Sequence, residues 1–262
     1  MRYQLCILAS AVLSASAFGQ GLNIDFGTHW GTPSQSYVPT TNLTGLWNSL
    51  DAFSANDPPV ELMGLDGTPS GVLLSLPLSV TPPTAVYSIA PIVTGDPLAL
   101  FDDGFGAATE PQRIRLEGLQ PQWYEIHVYS TASFLSPTTF IDRSSNLEVT
   151  MTLTGGWSST TPSGLQYGVN YFRHYIKVTE DWLEIDWIAT SPTQQGAITG
   201  IHLFPIDCYA DMDANGTLNI FDYVNFANFY AGSMIIVDCD QNAVLNIFDF
   251  VCYGNEYASG CP

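Results

Sequence analysis

Two stretches near the C-terminal end carry oxygen-bearing side chains at alternating positions: 211–222 reads DMDANGTLNIFD and 238–249 reads DCDQNAVLNIFD. This spacing suits a hard cation, which takes about six to eight oxygens from loop positions 1, 3, 5, 7 (a backbone carbonyl), 9 and 12. In the first stretch these are Asp211, Asp213, Asn215, the Thr217 carbonyl, Asn219 and Asp222. In the second they are Asp238, Asp240, Asn242, the Val244 carbonyl, Asn246 and Asp249. The expected chemistry is the binding of two calcium ions. Position 6, where such a loop turns sharply, is Gly216 in the first and Ala243 in the second, so the second loop should be strained and the weaker site. Leu218 and Leu245, at position 8, are placed to pair the loops through a short β contact.

The elements that position these ligands are also duplicated. The second stretch follows the first by 27 residues, and 12 of 22 positions agree between 211–232 and 238–259. After each loop, apolar residues recur at helical spacing: Tyr223, Phe226, Ala227 and Tyr230, then Phe250, Tyr253, Gly254 and Tyr257. Each loop should therefore run into an apolar-faced helix. Only a few residues separate Pro205 from Asp211, so no comparable helix precedes the first loop.

A calcium loop plus exit helix, written twice, with Asp at position 12, resembles the dockerin module that anchors secreted polysaccharide-degrading enzymes to cohesins. The resemblance covers roughly 206–262, and the module is delimited at 205–262. It implies two calcium ions and a nearly two-fold docking face for a cohesin-like or cell-surface partner. At positions 10 and 11, where that family carries recognition residues, this chain has Ile220–Phe221 and Ile247–Phe248 in place of small polar pairs. These four residues are the candidate partner contacts.

Cys208, Cys239, Cys252 and Cys261 all lie in this module, an even number that fits disulfides in an oxidising compartment. Of the three pairings, Cys208–Cys239 with Cys252–Cys261 is expected, the second clipping the chain end onto the last helix. Zinc is the alternative, but the spacings contain no CxxC pair. The address agrees with disulfides. Arg2, the apolar run LCILASAVL and the small residues SASAFG form a signal peptide over 1–19, with cleavage after Ala17 or Gly19. That run is too short to span a bilayer and no other is long enough, so a secreted or cell-surface protein without a membrane span is expected. Residues 18–204 carry 17 acidic against 5 basic side chains and residues 205–262 carry 8 against none. This balance argues against nucleic acid or anionic lipid as a partner.

The long segment 20–204 lacks helical periodicity. Its strand candidates are 21–27, 71–80, 98–102, 112–118, 122–131, 146–154, 171–179, 182–189 and 197–205, and several alternate cleanly: Tyr124, Ile126 and Val128 against Glu125, His127 and Tyr129. Pro77 and Pro82 push 71–83 toward an edge or loop. The fold class is mainly β: a jelly-roll-type antiparallel sandwich followed by the small α-helical module. The phrases NIDFG (23–27), LEGLQPQWYEIHVY (116–129) and LEIDWIATSPTQQGAITGIHLFP (183–205) resemble the galactose-binding-like and malectin-like domains. That resemblance implies a jelly roll, with carbohydrate as the expected ligand class.

Glycoside hydrolysis needs two carboxyls at a defined separation, and Asp102, Asp103, Glu125, Glu184 and Asp186 are the candidates that could supply such a pair. Nothing in the sequence pairs them, and acids alternating along strands usually form a solvated face. No GxSxG elbow occurs, and His127, His174 and His202 lie in separate strands. Trp30 in GTHWGTP and Trp157 in TGGWSST occupy Gly-rich contexts where an indole can stack on a sugar. Trp47, Trp123, Trp182 and Trp187 follow strand patterns and are expected in the core or on sheet faces. The resulting expectation is a non-catalytic binding protein carried by a calcium-stabilised tail. The rivals are a polysaccharide-degrading enzyme attached through that tail and a structural surface protein.

Overall fold

A computed structural model of the chain describes residues 21–41, 43–51, 53–78, 83–87, 94–107, 110–130, 137–144, 147–154, 164–191, 196–213, 217–242 and 244–261. The expected signal peptide, Trp157, Asn215, Gly216 and Ala243 lie outside the described residues. In chain order the strands are β1 (Leu22–Phe26), β2 (Trp47–Leu50), β3 (Val60–Met63), β4 (Pro69–Ser75), β5 (Thr84–Tyr87), β6 (Asp103–Ala107) and β7 (Gln112–Glu117). They continue with β8 (Trp123–Tyr129), β9 (Thr138–Ser144), β10 (Leu147–Leu153), β11 (Tyr171–Lys177), β12 (Trp182–Ala189), β13 (Gly196–Ile198) and β14 (Gly200–Pro205). The helices are α1 (Asp96–Phe101), α2 (Ile220–Ala231) and α3 (Ile247–Ser259).

The strands form a five-stranded sheet in the order β11-β8-β14-β1-β2, a six-stranded sheet β10-β9-β12-β7-β4-β3, and a small sheet β13-β6-β5. All strand pairs are antiparallel except β1 with β2. Alternation explains the sandwich. Tyr124, Ile126 and Val128 of β8 and Ile114 and Leu116 of β7 turn inward into one continuous core. Trp187 is fully buried there, and its indole N–H donates to the Phe105 carbonyl at 3.1 Å.

The structure departs from expectation at several elements. Residues 98–102 are not a strand: Pro97 starts α1, which buries Ala99, Leu100 and Phe101. A short apolar run does not distinguish the two states by itself, and Pro in a first helical turn decides this one. Strands β2, β3, β5, β6 and β9 are not among the expected ones. In β9 the inward residues include Thr138, Asp142 and Ser144 beside Phe140, so the apolar alternation that marks a strand is missing. Strand β4 ends at Ser75, before Pro77, and lies between β7 and β3 rather than at an edge.

The outer face of the five-stranded sheet is covered as well, so every residue of β8 is buried. Trp47, Leu100, Phe101 and Tyr129 pack together over one part of it. The C-terminal module covers another. β14 passes into the module directly, the Ile206 N–H donating to the Trp123 carbonyl at 3.0 Å. Trp123 stacks on Tyr209 with ring centroids 4.5 Å apart, and Tyr175 meets Tyr209 edge-on at 5.3 Å. The Lys177 N–H donates to Gln241 Oε1 at 3.3 Å. Gln241 itself adopts φ 57° in the second loop. These contacts shield β11, an edge strand that would otherwise offer its backbone to another chain.

Within the module α2 and α3 pack through aromatic rings, Phe226 on Tyr253 at 4.1 Å and Tyr230 on Phe250 at 4.7 Å. Leu218 and Leu245 lie outside any strand and pack against this core instead of pairing the loops. The disulfides are Cys208–Cys261 and Cys239–Cys252, not the expected Cys208–Cys239 and Cys252–Cys261. The reason is local. Asp249 accepts a hydrogen bond from the Cys239 N–H at 3.0 Å, which holds the start of the second loop against the first turn of α3. Cys252, one turn beyond Asp249, then faces Cys239, and Cys261 is left for Cys208. No helix among the described residues is long and apolar enough to cross a membrane.

Candidate functional site

The two acidic loops fold as near copies. Carboxylate oxygens of Asp211, Asp213 and Asp222 lie within 4.8 Å of one another, and those of Asp238, Asp240 and Asp249 do likewise. The position-12 acids are fixed from both sides. Asp222 accepts the Asn219 N–H at 2.7 Å while Asn219 accepts the Phe221 N–H at 2.9 Å, a capping box that starts α2. Asp249, Asn246 and Phe248 repeat it at 2.7 and 2.8 Å to start α3. Asp222 and Asp249 are fully buried. The position-9 amides of Asn219 and Asn246 donate to the carbonyls of Thr217 and Val244, at 2.9 and 2.7 Å. Asn242 donates through its amide to Asp240 Oδ2 at 2.8 Å. No Lys or Arg occurs in 205–262, so no cation of the module neutralises either triad. Three carboxylates gathered with carbonyl and carboxamide oxygens are a donor set suited to a hard divalent cation.

The pairs at positions 10 and 11 point outward. Ile220 and Phe221 are each 66% exposed, Ile247 is 66% and Phe248 64%. Val224 and Val251, one turn on, are exposed too. These residues do not pack the helices together, and they form two apolar patches of the same sequence.

The acids of the sandwich divide into separate environments. On the outer face of the six-stranded sheet, register places Glu184 opposite Arg115 and Asp186 opposite Arg113. Arg113 reaches Glu184 and Asp186 at 2.9 Å each, Arg115 reaches Glu184 at 2.9 Å, and Arg143 also pairs with Asp186. Burial pushes Asp186 up, but the bonds from Arg113 and Arg143 outweigh it and hold the carboxyl below its usual range. A carboxylate so tied stabilises the cross-strand ladder. Asp103 lies elsewhere and accepts the Trp30 N–H at 3.2 Å, and burial raises it to about 7. Asp25, fully buried, is pushed well above the usual range by burial, against its bond from Ser49 and with a further contribution from the charge of Asp103.

Glu125 has a third environment. It lies on the outer face of β8 in a cavity of about 630 Å³ between the sheet and the module. Its Oε1 accepts from His127 Nε2 at 2.8 Å and from Arg173 at 3.2 Å. His127 is 1% exposed, and burial lowers its pKa. Its Nδ1 meets the Thr40 hydroxyl at 2.7 Å, and that hydroxyl meets the Tyr129 phenol. Tyr175 and Phe204 line the cavity from the sheet; Asp207, Asp211 and the Cys208–Cys261 disulfide close it from the module. Alternation along the strands alone gives these acids and histidines an ordinary sheet face. Arg173, Tyr175 and Phe204 went unremarked, although register aligns Arg173 with His127 and both Tyr175 and Phe204 with Glu125.

The remaining candidates lie apart from this cavity. Trp30 follows β1 and is half-buried, its ring edge-on to His29 at 4.6 Å and its indole N–H buried without a partner among the described residues. His174 faces the core, on the opposite side of the sheet from His127 and His202. Trp47, Trp123 and Trp187 are buried, and the Arg115 guanidinium lies over Trp182 at 5.0 Å.

Fold and loops together define a β-sandwich joined without a linker to a two-helix module with paired acidic loops. No family model matches this chain, and no curated protein matches it. Among solved structures it is similar to the Bacillus subtilis protein YXIM, at 10% identity and TM-score 0.42, over 71% of this chain and 40% of that one. It is also similar to Bacteroides uniformis β-glucuronidase 2, at 19% identity and TM-score 0.40, over 72% of this chain and 18% of that one. A family 35 carbohydrate binding module from Clostridium thermocellum is similar at 10% identity and TM-score 0.30, over 52% of this chain and 92% of that one. The chain thus spans less than half the length of the first two.

Proposed function

We propose that this is a secreted or cell-surface binding protein, in which a dockerin-like module at 205–262 holds two calcium ions and docks to a cohesin-like or other surface partner while the sandwich at 20–204 binds carbohydrate. The observation that carries the reading is the duplicated arrangement of three converging carboxylates, each built onto a helix whose first turn exposes Ile–Phe. Without an ion, three carboxylates within 4.8 Å repel one another, and the module has no basic side chain to offset them. The residues fit calcium: in each loop three Asp would supply carboxylate oxygens, with Asn219 and Thr217, or Asn242, Asn246 and Val244, completing the shell. The ion would supply the positive charge that lets both loops close against their helices. The sandwich is read as non-catalytic because Glu184 and Asp186 are held by arginines. Isothermal titration of the chelator-stripped full-length chain with calcium tests the reading: uptake of two ions is expected, and no uptake overturns it.

A further inference from the structure

We propose that the cavity between the five-stranded sheet and the module is a saccharide site, with Glu125 and Arg173 as its polar contacts and Tyr175 and Phe204 as its apolar wall. This rests on the carbohydrate reading above and assigns it a place and a ligand class.

Glu125 is held as a receiver of hydrogen bonds. A carboxylate only accepts, so the proton between it and His127 resides on Nε2. Burial keeps the imidazole neutral, so Nδ1 has no proton and accepts from the Thr40 hydroxyl. Thr40 in turn accepts from the Tyr129 phenol. The run Tyr129, Thr40, His127, Glu125 is thus one directed chain of donors ending on Oε1, where Arg173 also donates. Oε2 of Glu125 takes no hydrogen bond from the described residues and is left for a donor from a ligand. Because this chain of hydrogen bonds fixes its orientation, ligand binding does not have to order this carboxylate first.

The charge balance selects the ligand class. Glu125 and Asp207 line the cavity against the single guanidinium of Arg173, with His127 neutral and Asp211 assigned to the first calcium loop, whose three Asp outnumber the two charges of one ion. Carboxylated, sulfated or phosphorylated ligands are repelled. A neutral ring bearing several hydroxyls suits the lining: its hydroxyls donate to Glu125 and accept from Arg173 and Thr41, while its C–H face lies on Phe204 and Tyr175. The volume of about 630 Å³ falls within the range of about 300–1,000 Å³ typical of small-molecule sites. Ile206, Asp207, Cys208, Asp211 and Cys261 of the module form part of the wall, so the site is complete only with the module on the sheet.

The test is calorimetric titration of the full-length chain in saturating calcium with neutral gluco-, galacto-, manno- and xylo-oligosaccharides and a matched oligouronate. Binding of at least one neutral oligomer is expected, with the oligouronate at least tenfold weaker. Glu125→Gln and Phe204→Ser should each weaken binding at least tenfold, and Trp30→Ala should leave it unchanged. Thr41→Trp, which fills the rim without touching the buried chain, should abolish binding and keeps the test decisive if the other variants misfold. Binding that survives Glu125→Gln and Thr41→Trp but is lost in Trp30→Ala overturns the cavity and leaves the carbohydrate reading standing. An oligouronate that binds more tightly than its neutral counterpart overturns the ligand class. If no saccharide binds, both readings fall.

Discussion

His174 Nε2 and Asp142 Oδ2 lie 2.7 Å apart in the middle of the sandwich, and both residues are fully buried. His174 stands on β11 of the five-stranded sheet and Asp142 on β9 of the six-stranded one, so this bond ties the two sheets through the core. The carbonyl of Tyr175 can only accept, so His174 Nδ1, 3.1 Å away, carries a proton, and one further proton lies between Nε2 and Asp142. Burial raises the Asp142 carboxyl against the pull of the histidine.

Removing one partner leaves the other stranded. His174→Leu is therefore expected to destabilise the sandwich by about 3–5 kcal/mol, whereas Asp142→Leu combined with His174→Leu should cost far less than the two single changes summed. Denaturant midpoints of the four proteins give the coupling directly. A double variant as unstable as that sum would show that the pair has no special role.

Asp103 predicts a pH effect of opposite sign to the usual carboxylate. Its pKa rises from 3.8 to about 7 on folding, so the native state holds a proton that the unfolded chain has released between those values. The stability it contributes is complete below about pH 4 and is lost as pH rises through 7. Asp103→Asn should raise the melting temperature at pH 8 and leave it nearly unchanged at pH 4, measured in saturating calcium. An equal shift at both pH values would refute the assignment.

Chelation should destabilise the module. An ion at a hundredfold excess over its dissociation constant stabilises the state that binds it by about 2.7 kcal/mol, and two sites double this. The loss of helical circular dichroism on adding chelator should be larger once Cys208–Cys261 and Cys239–Cys252 are reduced. Asp222→Asn keeps an oxygen for the capping box but removes the charge. It should reduce calcium uptake by one ion while raising the calcium-free melting temperature, because it relieves the repulsion and keeps the cap, separating ligation from capping.

The exposed pairs give a prediction that needs no partner. Replacing Ile220 and Phe221, or Ile247 and Phe248, by Ser should leave the helical signal intact in calcium, because each side chain is about two-thirds exposed. Retention on a hydrophobic column should fall with each replacement, by similar amounts for the two copies. A collapse of helical signal would mean that the pairs are structural.

The paired loops and their helices were readable because ligand spacing and helical periodicity are local properties of the chain. Strand β8 was readable for the same reason. Strand β9 was not, since Asp142 and Ser144 face the core, and the partner that makes Asp142 tolerable there, His174, is 32 residues away. The disulfides were misread because proximity of Cys239 to Cys252 depends on the Asp249 hydrogen bond and not on spacing. The cavity was invisible for a similar reason. Glu125, Arg173, Phe204 and Asp211 come from four separate stretches, and only sheet register and the docking of the module bring them together.

The Cys208–Cys261 bridge closes the module into a covalent ring attached to the sandwich at one point. A protease that cuts the backbone once anywhere between these cysteines opens the ring but releases nothing, because both new ends remain joined through the bridge. A cut between Cys239 and Cys252 is spanned by the second bridge as well. Such nicking changes the apparent mass on a gel only after reduction, and the cut chain keeps both loops tethered to the sandwich. The connectivity thus makes the module tolerant of a single cleavage.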